Sequence, residues 1–532
     1  MNETQCPRGS RFWLWSGGAL VLVAAAGFFA VQGCSRNGGA DVAPPSVTPV
    51  ATPHLEERIQ RFCGSCHENT PPDVMPSSAW KSLIERMYEL FNKSGRPLHP
   101  PPIEEVVKYF EERAPLELPL TDIRTAGYPF PVRFSRTDYP AFEGPPPGSP
   151  PHISNVNLVH LFDPKKLDIL ACEMKNGAVL VLQPYLPQPK WRLLYGPGPD
   201  SGFNPGHTEV VDLDKDGIPD ILVANLGNFL PTDRRCGSVI WLRGLGEGRF
   251  EPITLLKNKG RIADVQAADF NGDGKLDLLV ASFGWESIGE IYYLENHTTD
   301  WKKPDFTVKL LDDRHGTIHV PIADLNGDGK PDFIALISQE HETIVAFVND
   351  GKGNFEKRTL YKAPHPGYGS SGIQLVDLNG DGKLDVLYTN GDVLDGPFLL
   401  KPYHGVQWLE NKGNLTFQHH PLTPMYGVHR AVAGDLDGDG DNDIVAVSFL
   451  PPEHFPQRAE KKIDAIIVLE QTAPGVFVRH SLEKENCDYV SCALGDVFSS
   501  GKLDLVTGSF SFDGSKHAIS IWQNLGTASK DK

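Results

Sequence analysis

The sequence predicts a mainly β protein, a seven-bladed β-propeller, with a small all-α unit in front of it. The first observation is a repeat, because an aspartate that opens a short apolar run recurs at positions 168, 220, 277, 332, 385, 443 and 504. A fixed step of this size is typical of solenoids and propellers. The second is composition, since 52 glycines and 45 prolines suit a turn-rich β protein. The third is that helical periodicity is confined to residues 54–114.

Each repeat in residues 151–526 contains a strand, an acidic loop, a second apolar strand, a third strand and a last strand after a Gly-rich turn. The third repeat shows the second strand as DLLVASFG and the third as IYYLEN. Four antiparallel strands repeated radially form propeller blades. The seventh repeat has no good fourth strand before Lys532, so we expect residues near 130–136 to supply it and close the ring.

The first 34 residues predict export. Arg8 and Arg11 precede an apolar run over residues 12–31, and Val-Gln-Gly-Cys34 follows. This pattern describes either a signal with a lipidated Cys34 or an uncleaved membrane anchor. Residues 35–53 are a Pro/Ala/Ser linker with little to bury. Both alternatives place the remainder in a bacterial cell envelope, on its periplasmic or extracellular side.

Residues 54–114 contain three helical segments around Cys63-Gly-Ser-Cys66-His67, and residues 115–150 are a Pro-rich linker. CxxCH is the attachment motif of haem c, in which both thiols bond to the porphyrin and the histidine binds iron. The motif predicts one covalent haem in a cytochrome c-like domain. We expect Met87 as the sixth iron ligand, with His99 and Met75 as alternatives.

The spacing of Trp80 and Met87 before a last helix resembles the small cytochrome domains of sulfite and quinohaemoprotein amine dehydrogenases. That resemblance implies that Met87 binds the iron.

Five repeats carry the loop Asp-x-[Asp/Asn]-x-Asp-Gly-x-x-Asp. Its oxygen-bearing side chains at positions 1, 3, 5 and 9 suit calcium, which takes 6–8 hard oxygen ligands, so we expect about five Ca²⁺ ions. The repeats resemble the FG-GAP (VCBS) repeats of the integrin α-chain propeller family, which implies calcium in these loops. The first repeat has no such loop and the seventh has lost its central acids, so we expect no ion in either. The predicted ligands are Asp212, Asp214, Asp216, Asp220, Asp269, Asn271, Asp273, Asp277, Asp324, Asn326, Asp328, Asp332, Asp377, Asn379, Asp381, Asp385, Asp435, Asp437, Asp439 and Asp443.

Polar residues also recur five positions before each loop, where the chain enters the predicted innermost strand near the propeller axis. Such a convergence predicts a binding or catalytic site, and its imidazoles could bind a transition metal or accept protons. The candidates for catalysis are His207, Asp264, His319, His429 and Arg430. The remaining positions and their neighbours are Gly372, Ser491, His152, His315, His365 and Tyr368.

The net charge of −18 is local, because the five acidic loops contain 18 aspartates and the other 50 acidic residues balance 50 basic ones. This argues against nucleic acid as a partner. Cys487 and Cys492 are close enough for a small disulfide loop, which an oxidising compartment allows.

The predicted function is electron transfer by an envelope-anchored haem protein with a redox partner protein, its calcium-binding propeller being a binding or scaffold module. One alternative is an oxidoreductase, a haem-linked dehydrogenase with a small-molecule site at the propeller axis. A second is an adhesion or carbohydrate-binding protein.

Overall fold

The computed structural model describes residues 54–142, 149–198, 201–394, 396–512 and 517–527. The predicted leader, the lipidated Cys34 and the linker over residues 35–53 lie outside this range. Among the described helices, none combines the length and the apolar character that a membrane crossing requires.

The helical unit, residues 54–114, contains three α-helices around one small core. They are α1 (Leu55–Cys63), α2 (Ser77–Ser94) and α3 (Ile103–Glu111), with a 3₁₀ turn at Pro72–Val74. Gly95 ends α2 in the left-handed conformation that suits a glycine after a helix. The rings of Trp80 and Phe110 pack 4.2 Å apart and join α2 to α3.

The remainder forms seven antiparallel sheets, each one blade of a propeller. Blade 1 contains β2 (Ile153–Val159), β3 (Asp168–Glu173), β4 (Ala178–Leu182) and β5 (Trp191–Tyr195). Blade 2 contains β6 (Pro205–Val211), β7 (Asp220–Asn225), β8 (Gly237–Gly244) and β9 (Phe250–Lys259). Blade 3 contains β10 (Ile262–Ala268), β11 (Asp277–Ser282), β12 (Glu290–Asn296) and β13 (Phe306–Asp312). Blade 4 contains β14 (Thr317–His319), β15 (Ile322–Ala323), β16 (Asp332–Ile337), β17 (Thr343–Asn349) and β18 (Phe355–Lys362). Blade 5 contains β19 (Ser370–Val376), β20 (Asp385–Asn390), β21 (Gly405–Asn411) and β22 (Phe417–Pro424). Blade 6 contains β23 (Val428–Gly434), β24 (Asp443–Ser448), a short α4 (Gln457–Glu460), β25 (Asp464–Ala473) and β26 (Val476–Lys484). Blade 7 contains β27 (Tyr489–Gly495), β28 (Asp504–Ser509), β29 (His517–Thr527) and β1 (Val132–Pro140).

Blade 7 is completed by β1, which comes from before the repeats. β1 pairs antiparallel with β29, so that Thr137 lies opposite Ile521. This confirms the prediction that residues near 130–136 supply the missing fourth strand. Because both ends of the repeat region share one sheet, the ring closes through backbone hydrogen bonds.

The second strand of every blade is buried on both faces. All six residues of β11 are buried, for example, and the same holds for the equivalent strand in each other blade. Neighbouring blades pack face to face, so neither side of a central strand meets water. This explains why the sequence shows continuous apolar runs there instead of alternation.

The aspartate that opens each of these strands is a structural anchor. The Asp277 carboxylate accepts hydrogen bonds from the backbone N–H of Phe270 at 3.2 Å and of Asn296 at 2.8 Å. Asp504 in blade 7, whose loop lacks the central acids, does the same with Val497 and Asn524. The repeat therefore marks a loop-to-strand clamp that is present with or without acidic loop residues.

The expected disulfide between Cys487 and Cys492 is wrong. Both are buried free cysteines, and burial raises the pKa of each thiol to about 12. They pack in the apolar core between blades 6 and 7.

Candidate functional site

The haem motif lies where α1 ends. Cys63 is the last residue of the helix and is half-buried, while Cys66 is exposed one turn later. The ring of His67 donates a hydrogen bond from Nδ1 to the carbonyl of Glu68 at 2.7 Å. This bond selects the tautomer that leaves the Nε2 lone pair free for a metal. Two thiols and one oriented imidazole on adjacent turns therefore fit haem c.

The surroundings of the motif are apolar. Phe62 packs its ring 5.2 Å from Tyr88 and 4.8 Å from Phe91, both on α2. Burial, and then the neighbouring Cys66, raises the pKa of the Cys63 thiol to about 11. The thiol is therefore protonated at neutral pH.

The three predicted sixth ligands occupy different environments. Met75 is 6% exposed and belongs to the core of the helical unit. His99 is exposed in the turn before α3. Met87 is 41% exposed, although it lies within about 40° of the buried Trp80 and Phe91 around α2. The Met87 side chain is therefore accessible to a group bound against α2, whereas that of Met75 is not.

The helical unit rests on one face of the propeller. We define this upper face as the side opposite the aspartate loops, where the chain enters each innermost strand. Glu68 forms an ion pair with Lys362 at the end of blade 4, and Arg86 forms one with Glu286 of blade 3. Leu399 of blade 5 packs against the core of the helical unit.

These contacts lie beside the predicted iron ligands. Glu68 follows His67 and Arg86 precedes Met87 in the sequence. Each of these two predicted ligands is therefore next in sequence to a residue that contacts the upper face.

The predicted axial residues occupy equivalent positions in the seven innermost strands. Each follows a β-bulge or register irregularity, so the same backbone distortion recurs around the axis. Sequence reasoning missed the blade 1 member because that repeat lacks the loop from which the others were counted. A different count finds it. In all seven repeats the axial residue lies thirteen residues before the aspartate that opens the second strand. The ring is Asn155, His207, Asp264, His319, Gly372, Arg430 and Ser491.

Four of these side chains form a chain of contacts across the axis. Nδ1 of His207 lies 2.9 Å from Oδ1 of Asp264, and Nδ1 of His319 lies 3.9 Å from Oδ2 of Asp264. The Arg430 guanidinium lies 3.4 Å from Nε2 of His319. This arrangement links blades 2, 3, 4 and 6 through the buried Asp264 and three partly buried side chains.

Within this chain of side-chain contacts, the charges of His207 and Asp264 favour each other. Burial lowers the pKa of His207, but the Asp264 carboxylate outweighs burial with the other nearby charges, so the pKa is raised overall. Burial raises the pKa of Asp264, but His207 and the other partners of this carboxylate hold it well below its usual range. Burial and Arg430 lower the pKa of His319 to about 3, so that ring is neutral. Glu209 lies two residues after His207 on β6. Burial raises the pKa of its carboxyl to about 7, so it can accept or donate a proton near neutral pH.

Other candidates lie elsewhere. Nδ1 of His429 donates to the carbonyl of Val490 at 3.0 Å. His152 is fully buried among Phe229, Phe510 and Phe512.

Two further histidines lie on the upper face. His365 is buried between Tyr368 and Tyr403 under the helical unit. His315 contacts Glu340 at 2.8 Å. Neither belongs to the axial chain.

The acidic loops share one conformation. In blade 3 the Asp269 carboxylate accepts hydrogen bonds from the backbone of Gly272, Asp273 and Gly274 at 2.8–3.2 Å. In the two loops that have aspartates at positions 1, 3 and 5, one carboxylate oxygen from each of the three lies within 4.8 Å of the other two. Those groups are Asp212, Asp214 and Asp216, and Asp435, Asp437 and Asp439. Calcium in these loops stays a prediction.

The fold and the haem motif define a class of protein: a seven-bladed propeller that carries a small unit with a haem c attachment motif. Comparison with known families agrees with both parts. FG-GAP-like repeats match residues 212–280 and 293–388, and dihaem cytochrome c matches residues 59–139. The propeller is thus similar to FG-GAP-like repeats over blades 2 to 5, and the helical unit is similar to a cytochrome c family. Both matches indicate a location outside the cytoplasm.

The cytochrome match includes β1 of blade 7. Its description names two haems, whereas the full sequence contains one CxxCH.

Curated relatives cover only part of the chain. It is 28% identical over 179 residues to the T-cell immunomodulatory protein homolog of Plasmodium yoelii yoelii, covering 28% of this chain and 25% of that protein. It is 27% identical over 237 residues to the homolog of Plasmodium falciparum (isolate 3D7), covering 39% and 32%. The matched region thus spans a quarter to a third of these relatives.

Proposed function

We propose that the chain is an electron-transfer protein that carries one haem c, attached through Cys63 and Cys66 with His67 as an iron ligand. The observation that carries this proposal is the orientation of His67, whose Nδ1 donates to a backbone carbonyl at 2.7 Å and leaves Nε2 free. A bound haem c supplies one-electron transfer. The chain's own residues fix the imidazole tautomer and supply the two thiols.

The propeller serves as the platform of this haem unit. Ion pairs from Glu68 and Arg86 fasten the helical unit at two separated points of the upper face. Calcium in five loops on the opposite face stabilises the blades. The predicted export leader holds the chain at a bacterial membrane, through a lipidated Cys34 or through its apolar run. A redox partner protein exchanges electrons with the haem.

Covalent haem is the direct test. The full chain is produced in a bacterium that matures c-type cytochromes, and haem is measured by its peroxidase stain after denaturing electrophoresis. We expect covalent haem in the wild type and in Cys236→Ala, whose cysteine lies in blade 2, and none in Cys63→Ala/Cys66→Ala. Haem-free wild-type protein would overturn the proposal.

The sixth ligand is tested by spectroscopy. We propose Met87, because it is the exposed apolar residue beside the buried face of α2. Met87→Ala is expected to lose the weak red charge-transfer band of a methionine–iron bond, while Met75→Ala, which changes a core residue, keeps it. The reverse result would assign Met75, and a spectrum without this band in the wild type would favour His99.

A second candidate function is favoured by the axial chain of His207, Asp264, His319 and Arg430. In a haem-linked dehydrogenase, a substrate bound at the axis would be oxidised and its electrons passed to the haem. Sugars, alcohols and sulfur compounds are added to the oxidised protein, and haem reduction is followed optically. Reduction that is lost in Arg430→Ala supports this function. Carbohydrate binding without haem reduction would instead favour the adhesion alternative.

A further inference from the structure

The upper face of blade 4 carries a cluster of two imidazoles and one carboxylate that the haem motif, the acidic loops and the axial chain do not use. Nε2 of His315 lies 2.8 Å from one oxygen of Glu340, and Nε2 of His341 lies 3.8 Å from the other. One ligand atom from each residue lies within 4.8 Å of the other two. The side chains are 12%, 33% and 22% exposed for His315, Glu340 and His341, so the cluster is sheltered but accessible.

Two loops hold this cluster in place. His315 lies between β13 and β14, and Glu340 and His341 lie between β16 and β17. The backbone N–H and the hydroxyl of Ser338 both donate to the carbonyl of Gly316 at 2.9 Å, which ties the loops together. Gly316 itself has φ +91, and a Cβ there would lie 2.8 Å from the Ser338 carbonyl oxygen. The two loops therefore approach too closely for a side chain at that position.

The backbone on either side of the Glu340–His341 pair is strained. Gln339 and Glu342 have φ values of 58° and 41°, which non-glycine residues seldom adopt. Such conformations persist where the surrounding structure imposes them. Here they direct two consecutive side chains toward His315.

Nearby cations do not neutralise Glu340. The guanidinium of Arg314 makes two hydrogen bonds of 2.9 Å to Asp312, and Lys357 lies 3.0 Å from the same carboxylate. The two imidazoles are the partners that the Glu340 carboxylate contacts in this cluster.

We propose that His315, Glu340 and His341 bind a divalent first-row transition-metal ion on the upper face. Two imidazoles and one carboxylate suit zinc, iron, copper or nickel, whereas calcium prefers an all-oxygen site. The cluster lies on blade 4, the blade that Lys362 ends, and next to blade 3, which carries Glu286. This site requires no haem, so its test is independent of the proposed function.

The chain offers a matched control. Nε2 of His420 lies 2.9 Å from Glu410, the same pairing as in His315 and Glu340. Among the residues that the structure describes, the groups of three or more histidine, cysteine or acidic side chains with clustered ligand atoms include His315 but not His420. The two sites therefore share the histidine–carboxylate pair and differ in the third ligand, His341, which only the blade 4 cluster has among the described residues.

The experiment is titration calorimetry of the full chain with Zn²⁺ in calcium-saturated buffer. We expect one equivalent whose affinity falls at least about tenfold in His315→Ala and in His341→Gln and is unchanged in His420→Ala. Melting curves without zinc verify folding, and His341→Gln decides if His315→Ala does not fold. Equal binding by all proteins, loss in His420→Ala, or displacement of zinc by excess calcium would overturn the site.

A spectroscopic readout tests the ligand type. Cu²⁺ added to the same proteins is expected to show nitrogen hyperfine splitting from two imidazoles in its electron paramagnetic resonance spectrum, reduced to one in His341→Gln. A wild-type copper spectrum with oxygen ligands alone would contradict the proposal.

Discussion

Nδ1 of His207 lies 2.9 Å from Oδ1 of Asp264, and this ion pair joins the innermost strands of blades 2 and 3 at the propeller axis. Asp264 is 2% exposed and the His207 side chain 16%, so the carboxylate is removed from water and the imidazole largely so. Its second oxygen accepts the backbone N–H of Val320 at 2.9 Å, which extends the link to blade 4. One carboxylate therefore holds three blades together where side chains of successive blades converge.

Replacing this carboxylate should destabilise the ring. Asp264→Asn leaves the His207 imidazole buried without its counter-charge, and breaking a buried pair typically costs about 3–5 kcal/mol. We expect the free energy of unfolding to fall by about 3 kcal/mol in denaturant titrations. Asp122→Asn, in an exposed ion pair with Arg124, is the control and should change it by less than about 1 kcal/mol. Equal stability of Asp264→Asn and the wild type would show that the pair is dispensable.

The ring should also depend on β1. Deleting residues 128–140 removes the strand that pairs with β29 and leaves the edge of blade 7 uncovered, so we expect a large loss of thermal stability. A milder test is Arg136→Ala. This guanidinium lies 2.6 Å from Glu483 of blade 6 and covers the ring of Trp522 at 4.9 Å. We expect this variant to be destabilised by about 1–2 kcal/mol. An unchanged melting temperature after the deletion would contradict closure through β1.

The propeller could be predicted because one physical constraint repeats. A buried strand after an aspartate and a tight turn recurs in every blade, so the period, the blade count and the axial positions could all be found by counting. The same counting gave His207, Asp264, His319 and Arg430, which the structure does bring together. It could not show that the repeated aspartate is a buried acceptor of backbone hydrogen bonds, because a carboxylate that binds calcium and one that holds a loop have the same sequence pattern.

The rest depends on contacts between distant segments. The pairing of Arg86 with Glu286, two hundred residues apart, has no periodic signal. Glu340 and His341 lie between β16 and β17 of blade 4. Neither residue belongs to the repeat pattern. For Cys487 and Cys492, proximity in sequence suggested a bond, but the side chains pack separately in the core.

Calcium binding can be tested with a matched pair of loops. Asp269 in blade 3 and Asp496 in blade 7 both begin a loop and accept backbone hydrogen bonds, but only the first is followed by further oxygen ligands. We expect chelation to lower the melting temperature of the wild type and of Asp496→Asn equally, and to lower that of Asp269→Asn less. A site saturated a hundredfold above its dissociation constant contributes about 2.7 kcal/mol. Melting curves that do not respond to a chelator would contradict structural calcium.

The attachment of the helical unit should respond to charge reversal. Glu286→Arg places like charges together at the Arg86 contact, so we expect the helical unit to separate from the upper face and the radius of gyration in small-angle X-ray scattering to rise. The swapped double variant Arg86→Glu/Glu286→Arg should restore the compact form. Glu89, also on α2, is 63% exposed and forms an ion pair with Arg86 within the helical unit, so its reversal is the control. A compact single variant would show that apolar contacts such as that of Leu399 suffice.

A pH dependence of stability should come from Glu173, which is 5% exposed at the end of β3. Burial raises its pKa to about 7, although the backbone N–H groups of Asn176 and His152 favour the charged form. The folded state therefore keeps a proton that the unfolded chain releases near pH 4.5, so this group's contribution to stability falls as pH rises from about 4.5 to 7 and is constant above. Across that window the loss approaches about 3 kcal/mol.

The neutral variant Glu173→Gln isolates this effect. Burial, and then Lys175, lowers the pKa of His152 to about 4. Because the unfolded chain binds this proton more tightly, the histidine makes stability rise between about pH 4 and 6.5. This opposite contribution is present in both proteins and cancels in their difference. We therefore expect the stability of Glu173→Gln relative to the wild type to increase by about 3 kcal/mol between pH 5 and 8 in urea titrations. The exposed Glu251→Gln should follow the wild type throughout. Parallel profiles for Glu173→Gln and the wild type would mean that Glu173 is ionised in the folded protein over the whole range.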